Sequence, residues 1–273
     1  MNEILEAREL AKDIKYVKVL APEVAVEARA GQFVILRVDE RGERFPLTIY
    51  DFDLDGGSIS MVFLEVGTST RKLGKLKVGD SIRDFLGPLG RPFHVEKYGR
   101  VACVGGGVGT PAIYTITKAL REAGNHVTSI IGARTKDLLI LEDEMREVSD
   151  EVKVATDDGS YATKGFVTSI LAGMLDKLDL VVAVGPLPMM KAVADLTRGK
   201  VRTIVSLNPI MVDGTGMCGG CRVTVGGKTK FTCVDGPDFD AHEVDFKELM
   251  ERNRTYLDEE KKSHECKIGL KNA

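Results

Sequence analysis

Three of the chain's five cysteines, Cys218, Cys221 and Cys233, stand close together behind a carboxylate at Asp213, in the stretch DGTGMCGGC and the RVTVGGKTKFTC that follows it. Thiolates and a carboxylate crowded in this way are ligands for a soft or borderline metal. Plant-type two-iron clusters use Cys-x4-Cys-x2-Cys and a distant fourth cysteine. Here the order is Asp213-x4-Cys218-x2-Cys221 and then Cys233. Iron accepts carboxylate oxygen as well as thiolate, so the spacing implies a [2Fe-2S] cluster held by Asp213, Cys218, Cys221 and Cys233. Glycines 214, 216, 219 and 220 let backbone amides turn toward sulfur, and such amide donors tune a cluster's potential. The alternative is a structural zinc knot that adds Asp213 or His242 to the three cysteines, although zinc ribbons pair two Cys-x2-Cys hooks and this chain has one. Cys103 falls in an apolar run and reads as a small buried hydrophobe. Cys266 reads as a bystander in the tail, and His94, His126 and His264 show no partner along the sequence.

Two glycine turns suggest a second chemistry. VGGGVGTP, residues 104–111, follows an apolar run and opens a helical pattern. In that context Gly105, Gly106, Gly107 and Gly109, with Thr110 at the helix start, allow a backbone to approach a pyrophosphate. The dinucleotide pattern is not strict, since Ala112 replaces the third glycine and Pro111 intrudes. GPLPMM, residues 185–190, repeats the device with Gly185, Pro186 and Met189, so two strand-end loops would flank one crevice. Tight turns that need glycine for backbone reasons alone would leave the same trace. Earlier in the chain, RFPLTIY places Arg44, Pro46 and Thr48 along one extended face with Leu47 between them. VGTSTRKL brings Gly67, Thr68, Ser69 and Thr70 to a helix start, where backbone donors suit a phosphate. A surface arginine on a plain strand and an ordinary Ser/Thr cap are the simpler readings of these two motifs.

The elements that must position these residues change texture along the chain. Residues 1–96 alternate in short stretches such as GQFVILRVD and SISMVFLEV between turns, which predicts an antiparallel barrel. Residues 97–207 alternate buried apolar strands with helices and predict a parallel α/β domain. Residues 208–244 form the small cysteine module, and 245–273 a charged helix with a tail. The class is mixed: barrel, α/β domain and C-terminal module. A formal net charge of −3, with 43% hydrophobic and 29% charged residues, describes a globular chain without a basic stripe for nucleic acid. The longest apolar run is too short for a bilayer and the N-terminus is too charged for a secretory signal, so a cytoplasmic protein that binds neither nucleic acid nor membrane is expected. In a reducing compartment, clustered cysteines point to metal or redox work.

In this order the motifs resemble those of the ferredoxin-NADP reductase superfamily over nearly the whole chain. The resemblance implies a flavin-binding barrel before a nicotinamide-binding domain. Arg44, Pro46, Leu47 and Thr48 match the segment that binds the flavin, with Thr48 near its reactive edge and Arg44 countering a phosphate. Gly67, Thr70 and Leu73, with Thr68 and Ser69, match the segment that grips its diphosphate. The loops at 105–109 and 185–190 become the nicotinamide side, where Val184 stands in place of the cysteine many members carry. The three-part layout is similar to electron-transfer subunits of type B dihydroorotate dehydrogenase. The Asp-led module more closely resembles the small subunits of NADH-dependent reduced ferredoxin:NADP oxidoreductases. This implies FAD, a [2Fe-2S] cluster and NAD(H) on this chain, and a larger partner subunit carrying another flavin and [4Fe-4S] clusters. Hydride would pass between NAD(H) and FAD, and single electrons through the cluster to the partner, in a bifurcating complex. A dihydroorotate dehydrogenase B subunit, a free-standing NADPH:ferredoxin reductase using Arg134, and a zinc-stabilised nucleotide sensor are the rival expectations.

Overall fold

The structure, a computed structural model, describes residues 2–256. The first domain contains β1 (Asn2–Ala11), β2 (Ile14–Leu20), the short α1 (Pro22–Ala25), β3 (Phe33–Arg37), β4 (Phe45–Thr48), β5 (Asp51–Asp53), β6 (Ser58–Leu64), α2 (Thr68–Leu73), β7 (Ser81–Ile82) and β8 (Asp84–Leu89). Its strands hydrogen-bond as two antiparallel sheets, ordered β5-β6-β2-β1-β7 and β4-β3-β8. Two bent stretches join them. Residues 45–53 run from β4 into β5, where Ile49 N–H donates to Gln32 O and Tyr50 N–H to Ser60 O, and residues 81–89 run from β7 into β8. Strands that switch sheets make the corners of such a fold. In place of one closed barrel the domain is two sheets that continue into each other at two corners. Ile4, Val17, Val34, Leu36, Ile59 and Met61 fill its interior.

The second domain contains β9 (Arg100–Gly106), α3 (Gly109–Glu122), β10 (His126–Ala133), α4 (Glu142–Val148), β11 (Glu151–Thr156), β12 (Thr163–Lys164), α5 (Val167–Ala172), β13 (Leu180–Val184), α6 (Leu187–Thr197) and β14 (Arg202–Ser206). Alternation along β9 explains the layering. Ala102 and Val104 pack with Val167, Leu171, Met190 and Val193 on one side of the sheet, and Val101 and Cys103 pack with Ile113, Ile116 and Met145 on the other. Neighbours β10 and β13 lie on either side of β9, so the strand order reverses there, and a ligand crevice opens outside the carboxyl ends of strands at such a point. The second core continues into the barrel through Tyr50, whose ring lies 4.9 Å from that of Tyr114 on α3.

The cysteine module is an excursion from this sheet. The chain leaves at Ser206 and forms β15 (Arg222–Val225), β16 (Lys228–Phe231) and α7 (Thr232–Asp235). It then returns as β17 (Asp238–Asp240), antiparallel to β14. The charged helix α8 (Phe246–Arg252) follows. Its apolar side chains Phe246 and Leu249 are buried in the chain's own core beside Val223 and Val225, each contributing about 1.5–3 kcal/mol by leaving water. The expectations for the remaining tail, including Cys266 and His264, lie outside the described residues. Among the described residues no helix is long and apolar enough to cross a membrane.

Candidate functional site

A crevice of about 1170 Å³ opens where barrel, α/β sheet and cysteine module meet. Of the glycine-loop residues, Gly106, Gly107, Gly109, Gly185, Pro186 and Met189 line it. Their glycines answer different needs. A Cβ at Gly109 would run into the Val184 carbonyl, and one at Gly106 or Gly185 into the Met189 side chain, so the two strand-end loops are packed on each other. Gly107 meets no neighbour but has φ +55°, a conformation that costs an L-residue energy. Gly105 and Thr110 do not line the crevice. Gly105 is buried, with the position of its missing Cβ 2.9 Å from Thr110 Cα, and Thr110 is buried behind the turn, its N–H bonded to Gly107 O. These two serve the approach of helix to strand.

From the barrel, Pro46, Leu47, Thr48 and Thr70 line the same crevice. The ladder sets Phe33 opposite Thr48 and Ile35 opposite Pro46, which turns this edge toward the nucleotide loops. Thr70 Oγ1 accepts from the Gly67 N–H at 3.1 Å and donates to its carbonyl at 3.2 Å, closing the first turn of α2. Gly67, Thr68 and Ser69 stand beside the crevice without lining it. Arg44 is exposed and outside it: its guanidinium lies 3.9 Å from Asp84, whose nearer partner is Arg37 at 2.6 Å. Hydrogen bonding to Arg37 holds the Asp84 carboxyl below its ordinary range. The crevice lining also carries opposite charges on Arg134 and Asp157. Among the described residues Arg134 forms no ion pair, with Asp137 or any other carboxylate.

In the module, Cys221 and Cys233 are each 1% exposed, with their sulfurs 3.2 Å apart. That is well beyond the covalent S–S length of about 2.05 Å, and all three cysteines are free thiols. Backbone amides aim at sulfur: Cys233 N–H at Cys221 Sγ and Gly220 N–H at Cys218 Sγ, each at 3.4 Å. Burial, and then the neighbouring Cys221, push the Cys233 thiol upward. Cys218 is exposed on the glycine loop, where Gly214, Gly216 and Gly219 all take positive φ. Asp213 starts that loop, its carboxylate accepting the amides of Thr215 at 2.9 Å and Cys218 at 2.7 Å. These bonds, Thr215 first, favour its ionised form. Two buried thiols, a third on a pliant glycine loop, a carboxylate and amides directed at sulfur suit an iron-sulfur cluster in kind. Among the described residues, no three His, Cys, Asp or Glu side chains are gathered closely enough to enclose a metal ion in this arrangement. His242, offered for the zinc knot, bonds Thr197 at 3.1 Å instead. His94 and His126 each have a carboxylate neighbour, Glu96 and Asp150.

Sequence reasoning missed the link between crevice and module. Phe33 and Met211 line the crevice and share a buried cluster with Cys221 and Cys233. Gly214 seats the loop there: a Cβ would stand 2.7 Å from Ile35 and from Leu89 of the barrel. Alternation along GQFVILR marks Phe33 and Ile35 as one face of β3, but the partner of that face lies almost two hundred residues away.

A flavin-reductase barrel, a doubly wound nucleotide sheet with its crevice at the switch point, and a cysteine module against both define a ferredoxin-reductase-like electron-transfer protein. The model for the iron-sulfur cluster binding domain of dihydroorotate dehydrogenase B matches residues 208–245. A Thermotoga maritima homologue of the dihydroorotate dehydrogenase B (NAD(+)) electron transfer subunit is 50% identical over 268 residues, covering 97% of this chain and 95% of its own. The Clostridium perfringens electron transfer subunit is 35% identical over 229 residues, 83% of this chain and 91% of its own. A solved structure from work on flavin-based electron bifurcation by NADH-dependent reduced ferredoxin-NADP oxidoreductase is 48% identical, covers 98% of both chains and superposes with a TM-score of 0.93. The chain belongs to the family of dihydroorotate dehydrogenase B electron transfer subunits and their homologues. Fold, site and family support FAD, an iron-sulfur cluster and NAD(H) as its cofactors.

Proposed function

We propose that this chain is the NAD(H)-linked electron-transfer subunit of an electron-bifurcating ferredoxin:NADP oxidoreductase. When bound, the cofactors supply hydride exchange between NAD(H) and FAD and one-electron transfer through a [2Fe-2S] cluster. Asp213, Cys218, Cys221 and Cys233 hold the cluster, the glycine loop carrying the first two toward the buried pair. Pro46, Leu47 and Thr48 hold the flavin ring, with the Thr48 hydroxyl at its reactive edge. The turn closed by Gly67 and Thr70, flanked by Thr68 and Ser69, takes the diphosphate. Arg44 reaches a phosphate by leaving its long contact with Asp84. Gly106, Gly107 and Gly109, with Gly185, Pro186 and Met189, orient the nicotinamide nucleotide, and Gly105 and Thr110 hold that turn from behind. Alignment is the main demand of hydride transfer, so no general acid or base is required. A larger subunit with a second flavin and [4Fe-4S] clusters receives the electrons, in the cytoplasm.

The observation that carries this reading is the single buried cluster in which Phe33 and Met211 join the crevice to Cys221 and Cys233. The same machinery serves a dihydroorotate dehydrogenase B subunit, which the names of the T. maritima and C. perfringens relatives favour. An FMN-containing dihydroorotate-oxidising partner would decide for it. An anaerobic titration with NADH, and separately with NADPH, tests the electron route. NADH is expected to bleach the flavin and then the cluster bands at far lower concentration than NADPH. Flavin bleaching with no change at the cluster would contradict the route.

A further inference from the structure

The carboxyl group of Asp238 has no part in the site described above. Asp238 opens β17 and pairs in register with Ser206 at the end of β14. The residue is part-buried, yet both carboxyl oxygens are shut off from solvent and neither has a hydrogen-bond partner of acceptable geometry. One oxygen rests against the barrel: a Cβ added at Gly31 would stand 3.1 Å from it, and Gly31 has φ +83°. Gly31 itself sits where three parts of the chain meet. Its N–H reaches Thr115 Oγ1 of α3 at 3.5 Å, and the preceding Ala30 carbonyl accepts from Phe93 N–H in the interdomain connector. Gly31, Ser206 and Pro237 all line the crevice. The carboxyl is therefore seated just behind the crevice wall.

A carboxylate without a partner is expensive in such a place, and the neutral acid is favoured. Burial is the dominant influence and pushes Asp238 up to about 7, while the Ser206 hydroxyl, close enough to interact though without good hydrogen-bond geometry, favours the ionised form. The groups shown beside it are Ser206 from β14 and Gly31 from the barrel, neither charged, and burial and Ser206 are the influences on its carboxyl.

We propose that Asp238 is a proton-holding residue behind the crevice wall, whose proton is bound more tightly when negative charge enters the crevice. The reason is electrostatic. Charge in the crevice and charge on Asp238 oppose each other across a poorly solvated wall, and the coupling is reciprocal. Hydride arriving on the flavin brings two electrons and one proton, so the crevice becomes more negative. In the fraction of chains where Asp238 is ionised, its carboxylate then takes one proton from solvent and becomes the acid. Asp238 acts through the field it places on the crevice and is a positioning residue. The proposal rests on the reading of the crevice as the flavin site.

The test is infrared difference spectroscopy of the FAD-loaded chain, oxidised against NADH-reduced, from about pH 6 to about pH 9. A protonated-carboxyl C=O band is expected to grow on reduction above neutrality, to shift with carbon-13 aspartate and to vanish in Asp238→Asn. The flavin midpoint potential should fall more steeply with pH in the wild type than in Asp238→Asn over the same range. Equal slopes, or no aspartic acid band growing on reduction above neutrality, would overturn the proposal. Should Asp238→Asn fail to fold, the carbon-13 band of the wild type titrated with pH decides alone. A chain that takes up no flavin sinks the reading of the crevice, while the same titration on the flavin-free chain still decides whether Asp238 holds its proton.

Discussion

Phe33 stands opposite Thr48 in the register of β3 and β4, and both line the crevice, but Phe33 also belongs to the buried cluster of Cys221 and Cys233. One side chain thus connects the edge assigned to the flavin with the thiols assigned to iron. Replacing Phe33 with Leu keeps most of the volume and should cost about 1 kcal/mol in stability. In rapid mixing with NADH, Phe33→Leu should leave flavin reduction near wild type and slow the appearance of reduced cluster. Equal slowing of both steps would place Phe33 in flavin binding only.

The glycines of the first turn are not equivalent. Gly109→Ala drives a methyl into the Val184 carbonyl, a rigid obstacle, and should cost about 2–3 kcal/mol with a large loss of NADH affinity. Gly107→Ala meets open space and bears only the left-handed strain of about 1–2 kcal/mol. Thermal unfolding and NADH titration of the two variants should rank them in that order.

Thiol chemistry should separate the cysteines. Burial pushes Cys103 up to about 12, so at about pH 8 its reactive thiolate is scarce. Alkylation of the iron-free chain, read by peptide mass, should label the exposed Cys218 quickly and leave Cys103 intact until the chain is denatured.

The carboxylate ligand makes a separate prediction. Asp213→Ala should lose iron, whereas Asp213→Cys should keep the cluster and shift its potential, because a thiolate replaces a harder oxygen donor. Iron content and the cluster's electron-spin signal check both. Full iron occupancy in Asp213→Ala would remove Asp213 from the ligand set and leave it as a brace for the Thr215 and Cys218 amides.

Stability should carry the mark of Asp238. Its native value is raised to about 7, so between about pH 4 and that value the folded chain holds a proton the unfolded chain releases. The contribution is complete below about pH 4 and is lost as pH rises through the folded value. Asp238→Asn should therefore gain in Tm relative to wild type as pH rises from about 5 to about 8. A constant Tm difference across that range would contradict the assignment.

Much of this was legible in local pattern. Apolar runs ending in glycine turns marked β9 and β13, and Pro46, Leu47, Thr48 and Thr70 line the crevice. What escaped was packing, near and far along the chain. Gly105 and Thr110 look like loop ligands in sequence because a packing glycine and a phosphate-loop glycine are the same letter, and only the neighbouring Cα tells them apart. Arg44 turns to Asp84, a partner forty residues on. The return of β17 to the sheet, which buries Asp238, leaves no trace in a three-residue strand. The docking of α8 through Phe246 and Leu249 was equally invisible beside its charges.

The most direct measurement is the composition and visible spectrum of the anaerobically purified chain, with flavin, iron, acid-labile sulfide and zinc determined on one sample. About one FAD with about two irons and two sulfides per chain is the predicted result. Zinc at the cysteines with no flavin would contradict the account, leaving a structural knot beside a nucleotide-binding fold.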